Sequence, residues 1–442
     1  MVVARLGAPT HQLGQRSCGG GVNGAPRETT LIFVEANTTG TGRLFAAAAR
    51  RHGFRPVVLT AAQGRYPWAA TDGVDVVGAD TEDPAAVARA ALVSAGRGGL
   101  AGIWTTSEYF VDRTATAAAR LGLPGPDPEA VRRCRDKGRQ RLALAEAGVP
   151  IPRFALASSV AEALGGAQRV GYPVVGKPID GSGSRGVRLL ADAAAVEAHA
   201  RFLLAGGPDE RGRPCAARLL VEEYVDGQEV SVETFGTGEP GVSPETTVVA
   251  VTDKQVGPLP TFVEYGHDLP STLPRDQRVA AGTLAKRALR ALGLEWGPAH
   301  TEIRFTADGP VVVEVNPRLA GGLIPVALRL ATGVDLIGAT VGLVTGAAPV
   351  LPPAGGGSAA IRFLVADQPR RIRAVSGVAA AWSTPGVVDV SVAARPGLVA
   401  GGTGCFLDRL GHVIAVAPTP QAASLAAERA RSCLVVEVEA AA

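Results

Sequence analysis

Cysteine is scarce in this 442-residue chain: Cys18, Cys134, Cys215, Cys405 and Cys433 are the five, far apart and odd in number. That pattern argues against a disulfide framework or a zinc site, and it fits a reducing cytoplasm. Aromatic residues make up only 5%, too few for a platform on which bases stack. The basic residues are scattered and the net charge is +3, so the chain has no basic stripe for nucleic acid either. Long apolar runs are missing as well. The most apolar later stretch, 319–351, is broken by Arg329, Asp335 and several glycines, and no membrane span is implied. Residues 1–28 are Gly-rich without an apolar core of signal-peptide length and are expected to form a disordered leader. What is present is a chain long enough for two to four domains, 46% hydrophobic and 19% charged, as in soluble globular proteins.

The most informative stretch is residues 300–322, HTEIRFTADGPVVVEVNPRLAGG. Two alternating runs, Thr301 to Thr306 and Val311 to Asn316, flank Ala307-Asp308-Gly309 and predict a hairpin with a three-residue loop. That loop sets Glu302 opposite Glu314, with Asn316 on the same face. Facing carboxylates are destabilising unless a cation lies between them. An all-oxygen Glu, Glu, Asn set suits Mg²⁺ completed by phosphate oxygens and water. The competing reading is a surface ladder in which Arg304 neutralises both glutamates. Arg318 follows, and Gly321-Gly322 would admit close approach of a ligand.

Upstream, Thr30 to Glu35, a Gly/Thr turn at 37–42, a helix over 43–51 and a strand over 55–60 predict a βαβ unit. Ligands of open α/β sheets bind at the carboxyl ends of such strands. The turn lacks a full G-x-G-x-x-G, so a dinucleotide is not implied, and a plain tight connection remains open. Further strands are expected at 73–77 and 100–106. The latter runs into Ser107-Glu108-Tyr109, either a polar substrate wall or a helix start with Ser107 as cap. A basic helix follows, with Arg132, Arg133, Arg135, Lys137, Arg139 and Arg141, ending before Pro150. Its charges either meet solvent or face a polyphosphate.

A strand then delivers Lys177, and Gly181-Ser182-Gly183-Ser184-Arg185-Gly186 leads to the next strand. Small residues let backbone N–H groups and hydroxyls wrap phosphate while the lysine supplies charge; a flexible hairpin tip is the alternative. The lysine precedes the glycines, so this is not a Walker A loop. Residues 219–224 and 230–235 read as strand, turn and strand. Glu222, Val225 and Glu229 there are suited to an adenine, a linker backbone and a ribose, or to an ordinary hairpin. Glu264 and His267 fall in a turn-rich stretch, 261–270. The tail, 358–442, reads as a small α+β module with no chemistry of its own.

In this order and at these intervals, the lysine, Gly/Ser loop, hinge strand and Glu…Glu-x-Asn-x-Arg hairpin resemble the ATP-grasp superfamily. The fold so implied is α/β and α+β multidomain: an N-terminal Rossmann-like (preATP-grasp) domain, a lid subdomain and antiparallel-sheet domains that hold ATP. The expected divisions are a leader 1–28, the N-terminal domain 29–128, a helical connector 129–170, the lid 171–235, a central domain 236–350 and the C-terminal module 351–442. The resemblance implies that Lys137 and Lys177 hold ATP phosphates, covered by Gly183 and Ser184. Glu222 and Val225 would read adenine, Glu229 the ribose, and Glu302, Glu314 and Asn316 two Mg²⁺ ions, with Mn²⁺ an admissible substitute.

Within the superfamily the chain looks most like the L-amino-acid ligases of dipeptide and peptide-antibiotic biosynthesis. In these, the E-x-G-H stretch, here Glu264 to His267, and the arginine after Asn-x, here Arg318, face the amino-acid substrates. Ser107, Glu108, Gly321 and Gly322 complete the implied substrate wall. Some of these ligases carry a bulky aromatic where Gly322 stands, which implies a roomier pocket here. The activity implied is ATP-dependent carboxylate–amine ligation through an acylphosphate, cytoplasmic, on small amino-acid or peptide-like partners, with a homodimer allowed and neither nucleic acid nor membrane. A non-catalytic ATP-binding scaffold and a biotin carboxylase-like, bicarbonate-activating enzyme are the alternatives.

Overall fold

The computed structural model describes residues 28–38, 40–238, 245–349, 351–353 and 355–439. The expected leader lies outside them except for Glu28. Cys134, Cys215, Cys405 and Cys433 are free thiols.

Four strands open the chain: β1 (Thr30–Val34), β2 (Arg55–Thr60), β3 (Asp75–Gly78) and β4 (Leu100–Trp104). They form a parallel sheet in the order β3-β2-β1-β4. Alternate side chains of β1 face opposite ways. Leu31 and Phe33 pack with Phe45, Ala48, Ile337 and Val341, whereas Ile32 and Val34 pack with Val87, Ala91, Ala117 and Ala118. Burial on both faces is what makes such a strand continuously apolar. Each such residue fully buried contributes about 1.5–3 kcal/mol.

The basic segment differs from the single helix expected. It is two helices, Pro128–Arg135 and Lys137–Glu146, broken at Asp136, whose carboxylate accepts the Arg139 N–H at 2.9 Å and so caps the second.

A second sheet, antiparallel, contains β5 (Phe154–Ala157), β6 (Val174–Pro178), β7 (Arg188–Leu190) and β8 (Leu219–Glu223) in the order β5-β8-β6-β7. It takes in 154–157, which was expected in the helical connector. Val174, Leu219 and Val221 face the helices Val160–Val170 and Ala193–Leu204. By alternation Val175, Lys177 and Glu222 turn the other way.

The largest sheet has eight antiparallel strands. They are β9 (Gln228–Thr237), β10 (Thr246–Val256), β11 (Glu264–Leu269), β12 (Trp296–Thr306), β13 (Gly309–Asn316), β14 (Ser358–Val365), β16 (Val387–Val392) and β18 (Arg409–Ala417). Their order is β13-β12-β9-β10-β11-β14-β18-β16. The strand at 228–237, expected in the lid, therefore belongs here. So does half of the C-terminal region, which is continuous with the central sheet rather than a separate module. The remaining strands, β15 (Arg370–Ser376), β17 (Val399–Ala400) and β19 (Val435–Val438), form a small sheet ordered β17-β15-β19.

One face of the large sheet packs Val230, Val232, Ile303, Val312 and Val315 against helix Arg275–Leu292. Its other face carries charge. The β12–β13 hairpin reaches that arrangement by a route that differs from expectation. Thr306 pairs with Gly309, so the loop is two residues rather than three, and a bulge at Val313 restores the pairing of Glu302 with Glu314. Without the extra residue, Glu314 would share the face of Val312 and point into the core. The bulge turns it into the cleft while Val312 and Val315 both remain buried.

Among the described residues no single helix is long and apolar enough to cross a membrane. The helices Ile324–Thr332 and Leu336–Val344 meet at 109° and contribute Ile324, Leu328, Leu336 and Val341 to the core around β1.

Candidate active site

A cavity of 470 Å³ lies between the second sheet (β5-β8-β6-β7), the charged face of the large sheet and the carboxyl ends of the N-terminal strands. Asn37, Thr38 and Thr41 of the Gly/Thr turn, Ser107 and Glu108 after β4, Lys177 of β6 and Glu222 of β8, Gly183 and Ser184 of the loop after β6, and Glu302, Glu314, Asn316 and Arg318 of the hairpin and its exit all line it.

Alternation places Glu229, Glu233, His300, Glu302 and Arg304 on the cleft face of β9 and β12. Arg304 does not neutralise the facing glutamates. Its Nε donates to Glu229 at 2.8 Å and its Nη1 to the Val225 carbonyl at 2.8 Å, so it holds both residues expected at the ribose and adenine. The neutralising cations are others. Lys254 Nζ lies 2.5 Å from Glu229, 2.9 Å from Glu302 and 3.0 Å from Glu264. Burial alone would depress its ammonium, but Glu229, Glu302 and Glu264 hold it well above the usual lysine value. His300 reaches Glu233 at 2.8 Å and Glu302 at 3.3 Å. Burial opposes its charge, yet Glu233 and Glu302 raise its pKa to about 10. Glu302 is correspondingly far below the carboxylate range, burial being outweighed by Lys254 and His300.

Glu314 pairs with Lys137 at 2.9 Å. The Asn316 amide, oriented with its nitrogen donating, bonds Glu314 at 3.2 Å and Glu108 at 3.0 Å. Among the described residues there is no group of three or more His, Cys, Asp or Glu able to hold a metal by itself. Two carboxylates and an amide, its oxygen turned toward them in place of its nitrogen, do fit Mg²⁺ that takes its other ligands from phosphate and water.

Lys177 and Arg141 both pair with Glu222. Burial would raise the Glu222 pKa, but Arg141 and Lys177 bring it below the usual value. Lys137 Nζ also donates to the Gly181 carbonyl at 2.8 Å, joining the second basic helix to the Gly/Ser loop. In that loop Ser184 has φ 63° and donates its hydroxyl to the Phe262 carbonyl at 2.8 Å. Gly183, at φ 61°, lies beneath Phe406, whose ring a Cβ there would meet at 2.4 Å.

At the other end Glu108 binds Arg318, Arg135 (2.8 Å) and the Ser182 hydroxyl (2.7 Å). Arg318, Arg135 and Lys137 overcome its burial and lower its pKa to about 2. Ser107 lines the cavity but makes no side-chain cap bond; a short turn, Glu108–Phe110, precedes helix Val111–Arg120.

Glu264 and His267 lie in a strand, β11, rather than in turns, because β10 and β14 pair with it on either side. Lys254 and Arg409 (2.6 Å) hold Glu264, and against its burial Lys254, His267 and Arg409 keep it well below the usual carboxylate value. A carboxylate so firmly ionised is a poor proton acceptor. His267 is 2% exposed, and neither ring nitrogen makes a hydrogen bond within the described residues. Burial lowers its pKa to about 3, Glu264 opposing and Arg409 and Lys254 assisting, so the imidazole is neutral near pH 7. An unmet buried polar group costs about 1–3 kcal/mol, a cost that a ligand bonded to the ring would relieve. Gly322, at φ 58°, faces it: a Cβ there would lie 2.5 Å from His267 Nε2.

These positions match known proteins. Residues 170–326 fit the ATP-grasp domain, and residues 362–439 fit the L-amino acid ligase C-terminal domain 2. An uncharacterized protein of Sinorhizobium fredii is 37% identical over 400 residues, 90% of this chain and 81% of its own. The chain belongs to the ATP-grasp L-amino acid ligase family. This is a family of ATP-dependent ligases, and ATP-grasp enzymes in general use ATP and Mg²⁺. The alanine–anticapsin ligase of Bacillus amyloliquefaciens is 30% identical over 247 residues, 53% of this chain, and the chain spans about half (52%) of that relative's length. The solved L-amino acid ligase of Bacillus licheniformis shares the fold with a TM-score of 0.77, 21% identity and coverage of 94% of this chain and 100% of its own.

Sequence reasoning missed Lys254, His300, Phe406 and Arg409, all of which line the cavity. Lys254 had a signal: a lysine inside the β-branched run of Thr246–Val256 is a charge that alternation carries toward a buried face. Arg409 had none, since nothing local ties the tail to β11.

Proposed function

We propose that the chain joins two amino acids, or a related carboxylate and an amino acid, through an amide bond, with ATP consumed to ADP and phosphate. The observation that carries this reading is the bulged hairpin, which turns two carboxyl side chains and an amide into one cavity with Lys137, Lys177 and Arg318. The first substrate's carboxylate oxygen attacks the γ-phosphorus, the bond to the β-phosphate oxygen breaks and ADP leaves. The amine of the second substrate attacks the acyl carbon, and phosphate departs with that carboxylate oxygen.

Lys137 and Lys177 neutralise charge that develops on the phosphates, beneath the loop of Gly183 and Ser184. Glu222, Val225 and Glu229 take the adenine and ribose. Arg318 is fixed by Glu108 through Nε and Nη2 and by the Leu319 carbonyl through Nη1 at 2.9 Å. A guanidinium has five N–H groups, so donors remain for the tetrahedral oxyanion and the leaving phosphate. Mg²⁺, in one or two ions held by Glu302, Glu314 and Asn316, supplies charge neutralisation at the transferring phosphoryl group. Glu264 receives the substrate ammonium, and Ser107, Gly321 and Gly322 shape the pocket. The neutral His267 orients a carboxylate; with its pKa lowered to about 3 it is, like Glu264, a poor proton acceptor near pH 7. The named activity of the alanine–anticapsin ligase supports a product in specialised metabolism.

The experiment is a screen of amino-acid pairs for phosphate release, with mass spectrometry of the products. Release that requires an amino acid, and a product heavier than either substrate by amide formation, is expected. ADP release indifferent to every pair, or dependent on bicarbonate instead, contradicts the proposal.

A further inference from the structure

The amino-acid end of the cavity holds a cation that carboxylate activation does not need. Arg409 belongs to the region expected to carry no chemistry. Its Nη2 and Nε reach Glu264, at 2.6 Å to Oε2 and 3.2 Å to the main-chain oxygen. Its guanidinium lies over Phe363 at 3.9 Å from the ring centroid, and the same ring meets His267 edge-on at 5.7 Å. Arg409 Nη1 makes no hydrogen bond among the described residues, and both nitrogens of the buried His267 lack one. Arg409 and His267 thus border one cavity with donors to spare, joined by Phe363 and Glu264.

A planar, permanently charged guanidinium held flat on an aromatic ring is suited to a carboxylate. On the proposed reaction the first substrate's carboxylate is consumed at the γ-phosphate, so the carboxylate left over in the ternary complex is that of the amine-bearing substrate. Glu264 beside Arg409 is in turn a charge pair matched to a zwitterion. Resting on the ligase reading, we propose that Arg409, with His267, is the group that binds the free α-carboxylate of the acceptor amino acid.

The test uses the full chain, saturating ATP, and each productive acceptor as the free acid and as its amide. Wild type favours the acid in kcat/KM by about tenfold or more, the worth of a hydrogen bond to a charged group. Arg409→Gln brings the acid-to-amide ratio close to one, and Arg409→Lys, which keeps charge without the fork, gives an intermediate ratio. A merely structural Arg409 would slow acid and amide together. A wild-type ratio near one, or a ratio that Arg409→Gln leaves intact, overturns the proposal, and the wild-type measurement can do so whether or not the variants fold.

Should no pair turn over, thermal shifts with a non-hydrolysable ATP analogue, the proteinogenic amino acids and their amides decide the matter separately. Stabilisation by an acid but not its amide, lost in Arg409→Gln, supports the carboxylate site while counting against the ligase reading. Equal shifts for acid and amide overturn the site itself.

Discussion

Two buried histidines line the same cavity in opposite states. His300, on β12, is held as a cation by Glu233 and Glu302, whereas His267, on β11, is neutral with both nitrogens unmet. Around His300 every described carboxylate has a cation within 3.3 Å, through His300 itself, Lys254, Arg304 or Lys137. That end is electrostatically complete, which suits the role proposed for it as the seat of the phosphates and their metal. The His267 end is unfinished, as a pocket is before its organic ligand arrives. Saturated polar networks hold position, and unsaturated ones select what binds.

The largest expected effect comes from breaking the complete end. Glu314→Gln removes one of two anionic metal ligands and should lower amino-acid-dependent ADP formation about a thousandfold; an unchanged rate in a coupled ADP assay would overturn the metal role of this hairpin.

The histidines themselves come next, compared in nucleotide-free and metal-free protein by urea denaturation. His300→Gln leaves Glu233 and Glu302 without their shared cation and should cost about 3–5 kcal/mol. His267→Gln has no ion pair to break and should cost under about 1 kcal/mol. Their pH dependence has opposite signs. His300, raised from 6.5 to about 10, contributes stability that is whole below pH 6.5 and is lost as pH rises to about 10. His267, lowered from 6.5 to about 3, leaves the folded protein short of a proton that the unfolded chain binds, so its contribution is lost as pH falls from 6.5 to about 3. His300→Gln should flatten the alkaline limb of the stability profile and His267→Gln the acid limb, whereas matching profiles for the two variants would refute the contrast.

An effect smaller than that of His300→Gln is expected at Gly322. Alanine there meets the left-handed backbone and His267 Nε2 together and should cost about 1–2 kcal/mol. KM for one amino acid should rise while KM for ATP stays; a rise for ATP instead would move Gly322 to the nucleotide end.

Much of the complete end was legible because it is local. Alternation along β12 and β13 brings Glu302, Glu314 and Asn316 together in eight- and eleven-residue strands. Even so, the pairing was right for the wrong reason, since a shorter loop and a bulge cancel. The unfinished end was less legible because it is assembled from afar. Gly266 and Pro270 read as turn residues, and only the neighbouring β10 and β14 make 264–269 a strand. Arg409 reaches Glu264 across 145 positions, a contact that no local periodicity encodes. Two expected borders are crossed by the sheet for the same reason: β9 pairs with β12 and β14 with β11, strands remote in sequence.

The most direct measurement follows oxygen. With a productive pair, the first amino acid is supplied with ¹⁸O in its carboxylate and the released phosphate is examined by mass spectrometry. Transfer of one labelled oxygen to inorganic phosphate, with ADP as the nucleotide product, is the predicted result. Label carried into AMP, or phosphate released without label, would contradict carboxylate activation at this hairpin.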